Sequence, residues 1–102
     1  MYNSGRGVPQ DDAEAVRWFR LAAEQGVAAA QLALGVSYAT GQGVAQDDVE
    51  AHMWTDLAVA RSSGEDRDLY VKNRDFYAAK MTTEQVAEAQ RRAREWKPTP
   101  VP

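Results

Sequence analysis

The chain has 102 residues and a mass of 11.3 kDa, which fits one small domain. It carries 12 Lys and Arg against 15 Asp and Glu, so it lacks the basic excess that is typical of nucleic-acid-binding proteins. The absence of cysteine and the single histidine, His52, exclude disulfide scaffolds, thiolate sites and His-pair metal sites, and no apolar run reaches the ~20 residues of a membrane span.

The sequence repeats itself with a period of 36 residues. GRGVPQDDAEA begins at Gly5, and GQGVAQDDVEA begins 36 positions later at Gly41. Identities at this spacing continue to a pair of tryptophans, Trp18 and Trp54. So many identities at one spacing, including a rare residue type, indicate an internal structural repeat.

Each repeat contains a helix that begins at an aspartate. Asp11 and Asp47 are predicted N-caps, and Glu14 and Glu50, three residues later, are predicted capping-box partners. Gly26 is expected to end the first of these helices, over residues 11–25. We call these the Trp-type helices, because small residues and a tryptophan form one stripe on each: Ala15, Trp18 and Ala22, then Ala51, Trp54 and Ala58.

Residues 28–40 are predicted to form a second, Ala-type helix that ends at Gly41. Its apolar residues fall on two opposed faces, so we expect a neighbouring helix on each side. Gly35 lies inside the helix, where glycine is unfavourable, and close approach of a neighbour would compensate. One narrow strip remains for a partner to contact, and it consists of Ala29, Ala33, Ser37 and Thr40.

After Gly64 the sequence repeat is no longer recognisable. Residues 66–80 still suit a helix, with one side formed by Leu69, Tyr70, Asn73, Phe76 and Tyr77. Thr82 is predicted to cap a final helix, with Gln85 as its capping-box partner and an inward stripe of Val86, Ala89, Ala93 and Trp96. An atypical last unit with a polar outer face is how a solenoid ends. The tail, residues 97–102, is expected to be disordered.

This pattern resembles the Sel-one-like repeat (SLR) family, bacterial relatives of the tetratricopeptide repeats. The family motif is matched at Ala30, Leu34, Gly35, Tyr38, Gly41, Gly43, Val44, Asp47, Ala51, Trp54 and Ala58. The structural positions of the repeat would be Gly5, Gly7, Asp11, Trp18, Gly35, Tyr38, Gly41, Gly43, Asp47 and Trp54. The resemblance implies an all-α fold: a short right-handed superhelix (solenoid) of antiparallel helix pairs with a C-terminal capping helix. Residues 1–96 would form one domain, with units at about 1–26, 27–62 and 63–96.

The resemblance also implies a function, that of a protein–protein interaction module presenting a concave helical groove. We expect a protein or peptide partner, no nucleic acid, no cofactor, no metal and no catalytic residue. Two alternatives stay open: a hydrolase acting on cell-wall or β-lactam substrates, and a fragment of a larger repeat array with no separate function.

Two further expectations concern the surroundings of individual residues. Tyr2 matches Tyr38 at the end of an Ala-type helix, so the first Trp-type helix would lack the partner of its own unit. Its uncovered face, with Ala15, Trp18, Phe19 and Ala22, would then be covered in a longer protein or by a second chain in a homodimer. The three tryptophans are expected in the core, with Trp18 and Trp54 in like surroundings, and His52 at the surface.

Overall fold

The computed structural model describes residues 11–99, and this part of the chain consists of helices joined by short loops without any strand. The all-α prediction is confirmed. Two of the predicted structural positions of the repeat, Gly5 and Gly7, and residues 100–102 of the tail lie outside the described residues. The helices are α1 (Asp12–Glu24), α2 (Ala28–Thr40), α3 (Asp48–Ala60), α4 (Gly64–Ala78) and α5 (Thr83–Glu95).

The helix N-termini are capped as the sequence predicts, with one difference. Asp11 accepts a hydrogen bond from the backbone N–H of Glu14, and Asp47 accepts from that of Glu50. The predicted capping boxes at these two helices are wrong, because neither glutamate side chain bonds back to its N-cap in the described residues. The complete capping box is the one between Thr82 and Gln85, where each side chain accepts from the backbone N–H of the other.

Glycines end α1 and α2, as predicted. Gly26 has a φ of 94° and follows α1, where the N–H groups of Gly26 and Val27 bond to the carbonyls of Ala23 and Ala22. This is a Schellman motif, which needs a left-handed residue at the position of Gly26. Gly41 ends α2 with a φ of 76°, and the chain then turns toward α3.

The core is organised around α3. Helices α2, α4 and α5 all pack on α3, while α1 packs on α2. The main buried cluster combines residues of four helices, among them Val16, Leu34, Trp54 and Ala89. The compensation expected at Gly35 is present, because a Cβ atom there would lie 2.5 Å from the hydroxyl oxygen of Thr55.

The repeat continues in space beyond the point where it fades in the sequence. Arg20 of α1 donates a hydrogen bond of 2.5 Å to the hydroxyl of Tyr38 on α2. Asp56 and Arg74, each 36 positions later, form an ion pair of 3.1 Å between α3 and α4. Helix α4 therefore takes the place of an Ala-type helix in the next unit, although its composition is quite different.

Helix α5 folds back over the stack. It packs on α3, where the rings of Trp96 and Trp54 meet edge to face at 6.0 Å, and it packs little on α4. The segment after α5 reaches α1, because the N–H of Thr99 donates to the carbonyl of Glu24 at 2.7 Å. The first residues of the predicted disordered tail thus have a defined contact in this structure.

Candidate functional site

The partner strip predicted on α2 is only partly accessible. Ala29 and Thr40 are exposed and Ala33 is half-buried, but Ser37 is just 8% exposed. The Ser37 hydroxyl donates to the carbonyl of Ala33 and the Thr40 hydroxyl to that of Val36, both inside the helix. The strip therefore offers a partner a nearly flat surface with few free donors.

Two positions of α4 that are equivalent in the repeat to members of this strip carry large apolar side chains. Leu69 is 54% exposed and Phe76 is 65% exposed, and they lie 36 positions after Ala33 and Thr40. Lys80 places its ammonium 5.0 Å from the centre of the Phe76 ring. The exposed apolar residues of α4 thus lie beside a cationic group that follows the end of the helix.

The side predicted for helix 66–80 is divided between the core and the surface. Tyr70 and Tyr77 are buried, and burial raises the pKa of the Tyr77 hydroxyl. Leu69 and Phe76, which the sequence placed on the same side, face outward instead. The repeat itself contained the signal that was missed, because the spacing of 36 residues maps both onto positions predicted to be accessible on α2.

The two tryptophans of the repeat lie in unlike surroundings, so that expectation is wrong. Trp54 is only 4% exposed, and its indole N–H donates to a carboxylate oxygen of Glu50. Trp18 is 64% exposed, so the prediction that it lies in the core is wrong, whereas its exposure agrees with the expectation of an uncovered face on this helix. The cause is α5, which covers Trp54 and leaves α1 open. A depression of about 370 Å³ lies along α1, lined by Glu14, Arg17, Trp18, Arg20, Leu21 and Glu24.

His52 is buried, contrary to the expectation of a surface histidine. It is 2% exposed, and its Nδ1 atom has no hydrogen-bond partner within the described residues. Burial lowers the pKa of the imidazole, an effect that Asp56 partly opposes. His52 is enclosed because α4 packs on α3, whereas the repeat pattern had placed it at the surface.

The charged side chains of α5 form an ion-pair network. Glu88 accepts from Arg91 and Arg92, and these hydrogen bonds lower the pKa of its carboxyl to about 2. That direction is opposite to the raised pKa of a carboxylic acid that donates protons in catalysis. Among residues 11–99, no group of three acidic, histidine or cysteine side chains is arranged to hold a metal ion. In the same range no helix has the length and apolar character needed to cross a bilayer.

Comparisons with known proteins complete the description. A family model described as Sel1 repeat matches residues 1–27 and 28–63, more than half of the chain. The chain is also similar to a crystal structure of a protective antigen present in uropathogenic Escherichia coli strains and displaying an SLR fold. The two share 38% identity with a TM-score of 0.78, over 90% of this chain and 19% of the antigen, so this chain spans about a fifth of that protein. No curated protein matches the sequence.

Proposed function

This chain belongs to the Sel1 repeat family, and on that premise we propose that it is a non-catalytic module that binds a protein or peptide partner. The family fold is commonly a protein-interaction module. Helical solenoids act by rigid display, since their stacked helices hold a surface in a fixed shape. The proposal assigns no covalent chemistry to the chain.

The contact surface is proposed to run along the accessible strips of α2 and α4. On α2 it includes Ala29, Ala33, Ser37 and Thr40, which are small enough to let a peptide backbone come close. On α4 it includes Leu69 and Phe76, whose exposure is the single observation that carries the proposal. An isolated exposed leucine needs no explanation, but two large apolar residues two turns apart on one helix face form a patch.

The packing supports the idea that the two strips belong to one surface. Ala28 and Leu32 of α2 and Tyr70 and Val71 of α4 all contact one buried cluster that includes Val59 of α3. The two helices therefore rest on the same buried cluster, although they do so through different positions of the repeat. A peptide lying across them would find small residues on α2 and larger apolar anchors on α4.

Affinity capture with the purified chain, followed by direct titration of each captured protein, tests this proposal. We expect Leu69→Glu combined with Phe76→Glu to weaken binding at least tenfold, because both changes put charge into an apolar contact. Ala33→Trp should weaken binding as well, since it fills the flat part of the strip. Helicity should stay unchanged, because all three residues are exposed or half-buried.

Leu21→Glu is the matched control. Leu21 is as exposed as Leu69, but it lies on α1. It should leave binding at this surface unchanged. Partners that bind the Leu69→Glu, Phe76→Glu variant with undiminished affinity would contradict the proposal.

The hydrolase alternative is not favoured by any feature of the described residues. Glu88, the acid with a strongly shifted pKa, is shifted in the wrong direction for an acid catalyst. The alternative of a larger array is compatible with a binding role, because a repeat unit in a longer solenoid contributes part of a shared surface. In that case the partner named by the capture experiment would contact further units as well.

A further inference from the structure

The exposed face of α1 repeats the chemistry of the α3 face on which α5 lies. Glu14, Trp18 and Leu21 lie 36 positions before Glu50, Trp54 and Leu57. The three residues on α3 are half-buried or buried under α5, and the three on α1 are exposed. We refer to Glu14, Trp18 and Leu21 as the open Trp face.

The contacts of α5 define what kind of helix fits such a face. Arg92 forms an ion pair of 2.9 Å with Glu50, and Trp96 packs edge to face on Trp54. Ala89 is completely buried, so a small side chain lets the two helix backbones approach. The receptor side thus consists of an acid, a tryptophan and a leucine, and the incoming helix supplies an arginine, an alanine stripe and an aromatic ring.

We propose that the open Trp face is a docking site for a helix of a partner protein with the pattern of α5. That helix carries an arginine opposite Glu14, small residues over Leu21, and an aromatic side chain against Trp18. The charge match rests on Glu14, which corresponds to the Glu50 that pairs with Arg92 on α3; the depression on α1 is also lined by Glu24, Arg17 and Arg20. This surface is separate from the α2 and α4 strips, so its test is independent of the test of the proposed function above.

A neighbouring part of α1 has a different natural occupant. Ala51, Thr55 and Ala58 are the α3 residues that lie against α2, and their counterparts on α1 are Ala15, Phe19 and Ala22. An Ala-type helix, from a longer array or a second chain, would cover that part. It would leave the open Trp face accessible, as α2 leaves Trp54 to α5.

The open Trp face and the equivalent face of α3 differ at a neighbouring position. Arg17 lies where α3 has Met53, a member of the buried cluster. A helix that docks on α1 therefore meets an additional cation, and we expect the α5 sequence itself to bind there more weakly than a partner helix with an acid at that point. The α5 sequence is still the appropriate probe, because the structure shows how it binds to the equivalent face.

The experiment is a titration of the ¹⁵N-labelled full chain with a synthetic peptide of residues 81–97. The amide and indole NMR chemical shifts of the chain are measured at each peptide concentration. We expect saturable shifts at Trp18 and Leu21, including the Trp18 indole N–H. Glu14→Arg should weaken binding at least tenfold, and the peptide with Arg92→Glu should restore most of it. This charge reversal on both sides separates a specific contact from general adhesion.

Controls decide between this site and its competitors. Glu65→Arg makes the same charge change on α4 and should leave peptide binding unchanged, as should Leu69→Glu. Shifts centred on Trp54 and Trp96 would mean that the peptide displaces α5, and they would overturn the proposal. So would the absence of saturable shifts, or self-association of the chain that buries Trp18 in a second copy.

Discussion

Gly35 marks the closest approach between two helices at the residue scale. A Cβ atom there would lie 2.5 Å from Thr55 Oγ1 and 3.1 Å from the carbonyl oxygen of Ala51. The Thr55 hydroxyl is itself fixed, because it donates to that carbonyl at 2.8 Å. Glycine is thus required by the packing of α2 on α3, and its backbone conformation is ordinary helix.

Gly35→Ala is therefore expected to destabilise the chain by about 1–3 kcal/mol, the usual cost of overpacking. This exceeds the gain in helix propensity, which is at most about 1 kcal/mol. Urea unfolding followed by far-UV circular dichroism measures the difference. In the Thr55→Ala background the same substitution should cost less, because the nearest atom is removed. A cost that is equal in both backgrounds would contradict the assigned contact.

His52 makes the stability of the α3–α4 contact depend on pH. The imidazole is buried beside an ion pair, and the charged groups near it are Asp56 on α3 and Arg74 and Asp75 on α4. Burial outweighs the carboxylates and lowers the pKa of the histidine in the folded chain. The unfolded chain therefore binds more protons than the folded chain as pH falls through the ordinary histidine pKa of about 6.5.

We predict that the free energy of unfolding falls between pH 7 and pH 5, and that His52→Val reduces this slope. Valine is the appropriate replacement because Val16 occupies the equivalent position in the other repeat. Urea unfolding of both chains at several pH values measures the slopes. If the variant keeps the full pH dependence, the titrating group is not His52.

At the scale of helices, the difference between Trp18 and Trp54 is produced by α5. Both residues have a glutamate four positions before them and a leucine three positions after them, and among residues 11–99 a helix lies on Trp54 but leaves Trp18 exposed. Trp96 contacts Trp54, and the guanidinium carbon of Arg61 lies 5.1 Å from the centre of the Trp96 ring. The indole of Trp96 thus helps to hold the C-terminal helix, together with the buried Ala89 and the ion pair of Arg92 with Glu50.

Trp96→Ala should cost about 2 kcal/mol of stability, below the 3–5 kcal/mol of a fully buried aromatic residue because Trp96 is half-buried. Trp18→Ala is the matched control, and it should change stability by no more than about 0.5 kcal/mol because its side chain is mostly exposed. Denaturant unfolding of both variants checks this. Similar costs for the two substitutions would show that α5 is not held as described.

Most helix positions followed from local signals in the sequence, and the surroundings of single residues did not. Asp11, Asp47 and Thr82 cap helices as predicted, because a cap depends on the next three residues alone. The burial of His52 depends on α4, and the exposure of Trp18 depends on where α5 lies. These are contacts between distant segments, which a repeat pattern does not specify when the last unit departs from it.

For the candidate surfaces too, the sequence indicated positions on the helices but not the burial of the individual side chains. The strip predicted on α2 stays a prediction, and the burial of Ser37 and the bonding of its hydroxyl did not follow from the sequence. Leu69 and Phe76 were assigned to one side together with Tyr70 and Tyr77. A helix that packs on one neighbouring helix buries only part of that side, and on α4 the buried part consists of Tyr70 and Tyr77.

For the molecule as a whole, α3 is the element on which the others depend. It contacts α2, α4 and α5, while α5 continues into a segment that reaches α1. The closing helix thus connects units that would otherwise touch only their immediate neighbours. A short solenoid gains cohesion in this way, since each unit alone buries too little apolar surface to be stable.

The side-chain contacts between neighbouring units depend on the order of the units along the chain. Arg20 meets Tyr38 at one junction, and Asp56 meets Arg74 at the equivalent place in the next. Loss of one 36-residue unit, residues 27–62, would bring Arg20 opposite Arg74, and two guanidinium groups would face each other. At these two junctions each unit thus carries a side chain that suits the unit next to it, and removal of the unit between them would create an electrostatic mismatch.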